Sequence, residues 1–203
     1  MFKNFFRVAS ASPRVKLANV DANVETIASM IGVFAGNDVD LAVFPELCLT
    51  GYTCGDLYHD RTLLDAVVRG LARLAEETRS VATAVIVGAP VIYNNVLFNC
   101  GIVIHGGRVR MIVPKTYIPN YGEFYEKRWW QPADDVWDGR VTLLPGVIDD
   151  VPFGAKQLYE IGGVRIGIEI CEDLWTPIPP SSRMAMAGAQ IIANLSASDA
   201  VVG

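Results

Sequence analysis

Three polar residues stand at the ends of apolar, strand-like runs: Glu46 in VFPELCLTGY, Lys115 in IVPKTYIPNYGEF and Cys171 in GIEICEDLW. A thiol needs a base to become a nucleophile, and a carboxylate whose pKa is raised by burial can serve. An ammonium beside them can hold the oxyanion that forms when sulfur attacks an amide carbon. Together the three would make a cysteine hydrolase that uses no histidine. Singly, each has a plainer reading as an inert buried thiol, a solvated loop carboxylate or an exposed ammonium. Spacing alone leaves both readings open.

The elements that must position these residues alternate in period. Phe5 to Ser10, Leu41 to Pro45, Ala84 to Ala89, Val96 to Ile104, Val109 to Val113, Gln157 to Ile161, Val164 to Ile170 and Ile191 to Leu195 read as strands. Val24, Ile27, Ile31 and Phe34 recur at helical spacing behind Asp21 as N-cap. A second helix starts after Asp60, with Leu64, Val67, Val68, Leu71, Leu74 and Ala75 on one stripe. His105-Gly106-Gly107-Arg108 and Gly162-Gly163 predict hairpin turns, and Ser181 or Ser182 is expected to cap a short helix through Met184 and Ala187. In the last hairpin Gly167, Glu169 and Cys171 share a face, and the missing side chain at Gly167 is expected to leave room beside the thiol. Gln131 to Gly154, rich in Pro, Gly and Asp, reads as a long surface connection. These elements predict a mixed α/β domain with helices over a buried sheet.

Bulk properties narrow the chemistry. The chain has 203 residues, 51% of them hydrophobic and 19% charged, which is the balance of one large globular domain over residues 1–203. The net charge of -5, with no basic run, disfavours a nucleic-acid footprint and an electrostatic membrane anchor. No apolar run has the length of a membrane span, and a cytoplasmic location is expected. Cys48, Cys54, Cys100 and Cys171 form no CxxC pair and are expected as thiols. His59 and His105 lie in no ligand-spaced motif, which disfavours a metal site and a histidine-dependent cysteine protease.

The motifs PELCLTGYTCGDL (45–57), PKTYIPNYGEFYEKRWW (114–130), ICEDLW (170–175) and NLSAS (194–198) resemble, in order and flanking residues, those of the nitrilase or carbon-nitrogen hydrolase superfamily. The similarity is closer to the amino-terminal glutaminase domains of glutamine-dependent NAD synthetases. It implies a four-layer αββα sandwich that assembles into homo-oligomers. It implies Glu46 as general base and acid, Lys115 as oxyanion stabiliser and Cys171 as nucleophile. Glu123, eight residues after Lys115, matches a second glutamate that helps place substrate and lysine. Tyr121 and Ser198 match contacts to glutamine, and Tyr52 and Glu172 are further candidates for the pocket.

The resemblance also implies a fused or associated synthetase domain, to which ATP and magnesium would belong, with no cofactor for the hydrolase itself. No phosphate-binding loop occurs in these residues, and the αββα sandwich is expected to lack its C-terminal elements. Two other readings remain: a standalone amidase or carbamoyl hydrolase, and a non-catalytic assembly domain or inactive fragment. Glu172 and Asp173, adjacent in sequence to the thiol, are expected to oppose its ionisation and to leave more of the burden on Lys115.

Overall fold

A seven-stranded sheet forms the centre of the computed structural model, which describes residues 5–133 and 139–199. Its strands are β1 (Val8–Ser10), β2 (Leu41–Val43), β3 (Ala84–Tyr93), β4 (Val96–His105), β5 (Arg108–Pro114), β6 (Gly139–Val141) and β7 (Val151–Phe153), in the order β1-β2-β3-β4-β5-β7-β6. β1, β2 and β3 run parallel, and β3, β4 and β5 form an antiparallel meander. Two turns join that meander. His105 to Arg108 turns through Gly106 and Gly107 at positive φ, and Asn94 and Asn95 do the same at φ 50 and 62.

Alternation along β3 divides two interiors. Val85 and Val87 face α1 (Val20–Gly36) and α2 (Arg61–Glu77), in a core completed by Ile27, Ile31, Leu71 and Leu74. Ala84 and Ile86 face the other way, onto Ile166, Ile168, Ala193 and Leu195 of a second sheet. That sheet orders β10 (Ile191–Leu195), β9 (Val164–Ile170) and β8 (Leu158–Ile161). Behind it lies α3 (Pro180–Met186). The layers are therefore helix, sheet, sheet, helix, the αββα order implied by the resemblance.

Local chemistry explains the boundaries, with some corrections. Asp60 caps α2 by accepting from Thr62 and Leu63 N–H, but α1 is capped by Asn19, leaving Asp21 in the first turn. Neither serine side chain caps α3: its Ser181 N–H is taken by the Glu169 carboxylate at 3.0 Å. Gly167 does not open space beside Cys171. A Cβ there would meet Met184 Sδ at 2.6 Å and Ile192 Cδ1 at 2.9 Å, so the glycine lets α3 close onto β9. The stretch from Gln131 to Gly154 holds β6, β7 and a buried Phe153 stacked on Tyr93; its residues 134–138 lie outside the described ones. Among the described residues no helix is long and apolar enough to cross a membrane.

Candidate active site

Glu46, Lys115 and Cys171 follow the C-terminal ends of β2, β5 and β9, and the fold brings the three ends together. Lys115 is fully buried. Its Nζ donates to Glu46 Oε1 at 2.7 Å and to both oxygens of Glu126 at 3.0 Å. Glu46 Oε1 also accepts from Asn99 Nδ2 of β4 at 2.7 Å, whereas Oε2 accepts the Ala197 N–H at 3.1 Å. Cys171 Sγ lies 3.6 Å from Ser198 Oγ, one residue beyond Ala197. Glu46 and Cys171 are thereby both tied to the segment that follows β10.

Two non-glycine residues at this junction have left-handed backbones, Leu47 at φ 51 and Cys171 at φ 45. Such conformations cost about 1 kcal/mol or more and persist where the surroundings over-determine them. At Leu47 the cause is visible. Gly88 of β3 passes so close to the Glu46 loop that a Cβ would lie 2.3 Å from Leu47 N, and Leu49 N–H donates to Gly88 O. Cys171 starts a 3-10 turn, Cys171–Trp175, directly at the end of β9.

Electrostatics separate the roles. Burial pulls the Lys115 ammonium pKa down, but Glu46 and Glu126 outweigh it and the net shift is upward, so Lys115 stays charged. Burial raises the Glu126 carboxyl pKa, with Lys115 opposing. Burial also raises the Cys171 thiol, aided by the Glu46 charge and opposed by Lys115 and by the Ser198 hydrogen bond. The resting form is the thiol beside a charged lysine.

The acids next in sequence to Cys171 turn elsewhere. Glu172 accepts from Tyr121 OH at 2.8 Å, and Asp173 is buried against backbone N–H groups. The charge opposing thiolate formation is that of Glu46, across the fold.

Of the residues expected at the site, Glu46, Lys115, Cys171 and Ser198 are adjacent. Tyr52 joins them by donating to Glu126 Oε1 at 2.5 Å, and Tyr121 pairs with Glu172 at the rim of a cleft that Trp130 and Thr176 also line. Glu123 is not beside the lysine. It is exposed and hydrogen-bonds Asp199, while the carboxylate on Lys115 belongs to Glu126, eleven residues on. A 3-10 turn over Glu126–Arg128 carries that buried side chain, and the backbone N–H of Trp130, whose ring packs on Tyr58, donates to Glu126 O. Asn99 was also missed. Its position inside a long apolar strand is the signal, because a buried amide there must have a partner.

The family model for carbon-nitrogen hydrolases matches residues 7–203. This chain belongs to the carbon-nitrogen hydrolase family. As a member of it, the chain is 38% identical over 202 residues to the glutamine-dependent NAD(+) synthetase of Mycobacterium tuberculosis, covering 98% of this chain and 29% of that protein. It is 32% identical over 188 residues to the human protein of the same description, covering 90% of this chain and 26% of that one. The structure of a glutamine-dependent NAD(+) synthetase from Cytophaga hutchinsonii superposes with a TM-score of 0.83 at 27% identity, over 98% of this chain and 31% of that one. An amidase from Nesterenkonia sp. shares the fold, with a TM-score of 0.73 at 18% identity over 96% of this chain and 66% of that one. The chain thus spans under a third of the length of the synthetases it matches.

Proposed function

We propose that this carbon-nitrogen hydrolase chain is the glutaminase domain of a glutamine-dependent NAD synthetase. The observation that carries the reading is the buried Lys115 ammonium held between Glu46 and Glu126 at the end of β5, within electrostatic reach of a thiol on a strained turn. The similarity to glutamine-dependent synthetases over 98% of the chain supports glutamine as the amide.

In this mechanism Glu46 takes the thiol proton as Cys171 Sγ attacks the glutamine amide carbon. Oε2 is the oxygen suited to it, because Oε1 already accepts from both Lys115 and Asn99. The oxyanion is held by Lys115 and the Glu172 backbone N–H. Lysine has three N–H groups: one serves Glu46, one can be shared by the two Glu126 oxygens, and one remains for the oxyanion. Glu46 returns the proton to the leaving nitrogen, and ammonia departs. The same carboxylate then deprotonates a water that attacks the thioester, giving glutamate and the free thiol. Tyr52 supports Glu126, and Tyr121, Glu172 and Ser198 line the glutamine site; Glu123 stands at its outer edge.

In the proposed whole, the ammonia passes to a fused or associated synthetase domain and amidates adenylated nicotinic acid adenine dinucleotide. ATP and magnesium serve that domain. The assembly is proposed to be oligomeric and cytoplasmic, a setting consistent with four free cysteines.

A glutamine-mimicking electrophile should label Cys171 alone, and Cys171→Ala should abolish glutamine hydrolysis. Full hydrolysis by that variant would overturn the reading.

A further inference from the structure

Asp173 is a buried carboxylate with no direct part in the chemistry above. Its Oδ1 accepts from Tyr117 N at 2.8 Å and Thr116 N at 3.1 Å, and its Oδ2 from Ile170 N at 2.9 Å. Thr116 and Tyr117 are the two residues after Lys115, and Ile170 is the residue before Cys171. One carboxylate therefore joins the end of β5, in the seven-stranded sheet, to the end of β9, in the three-stranded sheet. An acid two residues into a turn often takes the N–H that precedes it, which accounts for Ile170. It does not account for Thr116 and Tyr117, which come from the other sheet.

We propose that Asp173 is a positioning residue that locks the strand ends carrying Lys115 and Cys171 against each other, holding the ammonium where the sulfur and its oxyanion need it. The inference rests on the assignment of Lys115 and Cys171 made above. Its chemical content is that both carboxylate oxygens must be acceptors. An amide of the same shape has one acceptor, so its NH2 would face either the Ile170 or the Tyr117 N–H, and one end of the clamp would open.

The arrangement is unfavourable to the fold as such. Burial pushes the Asp173 pKa up to about 7, although the Ile170 and Tyr117 N–H groups and the Lys115 charge pull it down; Glu169 adds to the rise. Keeping the ionised form costs stability at neutral pH, as buried charges retained for geometry do. Position and stability therefore make opposite demands on this side chain.

That opposition supplies the test, made in the full-length protein with Asp173→Asn. Three outcomes are expected: kcat for glutamine lowered about 30-fold with KM changed by less than about threefold, alkylation of Cys171 by iodoacetamide slowed about tenfold at about pH 8, and a thermal midpoint there equal to or above wild type. Alkylation within about twofold of wild type would overturn the proposal. So would a variant that fails to fold, or one that loses midpoint and turnover in parallel, because either result makes Asp173 a structural cap only. The alkylation and melting arms need no glutamine. If wild-type protein left glutamine intact, the functional reading would fall while these arms still judged the clamp.

Discussion

Glu126 closes on the Lys115 ammonium with both carboxylate oxygens at 3.0 Å, while Glu46 holds the same nitrogen at 2.7 Å. One buried cation thus serves two acids with different duties. Glu46 faces Ala197 and the thiol, whereas Glu126 is tied back to Tyr52. Glu126→Gln keeps the shape but removes the charge that steadies the lysine away from Glu46. It should lower kcat/KM for glutamine by about 100-fold, roughly 3 kcal/mol at the transition state. Glu123→Gln should change it less than about threefold, as expected of a side chain far from the ammonium. Steady-state kinetics on the two variants decide which glutamate the site uses.

The buried acids give stability a definite slope with pH. Asp173 has its pKa raised by burial from 3.8 to about 7, and Glu126 is raised in the same direction. A carboxyl raised in the folded state binds its proton more tightly folded than unfolded. The stabilisation from the protonated form is therefore lost as pH rises between the two values. For Asp173 that window runs from 3.8 to about 7. The arithmetic ceiling is about 4 kcal/mol. Melting midpoints of wild type minus Asp173→Asn, measured across this window, should fall with rising pH; a flat difference would contradict the burial argument.

The backbone of Cys171 makes a prediction about size rather than charge. At φ 45 any side chain is strained, and alanine at this position keeps the strain while losing the sulfur. Glycine removes both. Cys171→Gly should therefore be more stable than Cys171→Ala by about 1 kcal/mol, although both are inactive. The usual cost of glycine in an ordered segment works against this, so equal stabilities would mean that the left-handed turn carries no strain. Chemical denaturation of the pair reads the difference directly.

Periodicity made most strands legible, because Val85/Val87 and Ala84/Ile86 alternate between two apolar interiors and both had to be hydrophobic. What periodicity could not say was that those interiors belong to different layers. The αββα order came from the motifs. The short strands β6 and β7 were hidden because each has only three residues, and their order depends on Phe153 packing against distant Tyr93 and Phe98. At the site, strand-end position marked Glu46, Lys115 and Cys171. Glu126 was passed over because the resemblance to the family put the second glutamate at Glu123, and only the turn at Glu126–Arg128 determines which of the two points inward. Asp173 looked like a charge beside the thiol, when its partners are amides of another sheet.

Gly88 is the residue whose importance sequence reading had least means to see, and it yields the sharpest contrast between two glycines. A Cβ at Gly88 would lie 2.3 Å from Leu47 N, 2.6 Å from Pro45 O and 2.8 Å from Glu46 C, all backbone atoms of the loop that carries Glu46. A Cβ at Gly167 would instead meet the Met184 side chain at 2.6 Å and the Ile192 side chain at 2.9 Å. Side chains can rotate away, but the backbone around Glu46 is pinned by Phe44 N–H on Ile86 O and Leu49 N–H on Gly88 O. Both alanine variants should be destabilised, by about 1–3 kcal/mol from overpacking. Only Gly88→Ala should also displace Glu46. Turnover per Cys171 titrated by electrophile should fall more than about tenfold in Gly88→Ala and stay within about twofold in Gly167→Ala. Equal turnover per titrated site in the two variants would show that the Glu46 loop does not depend on its close approach to β3.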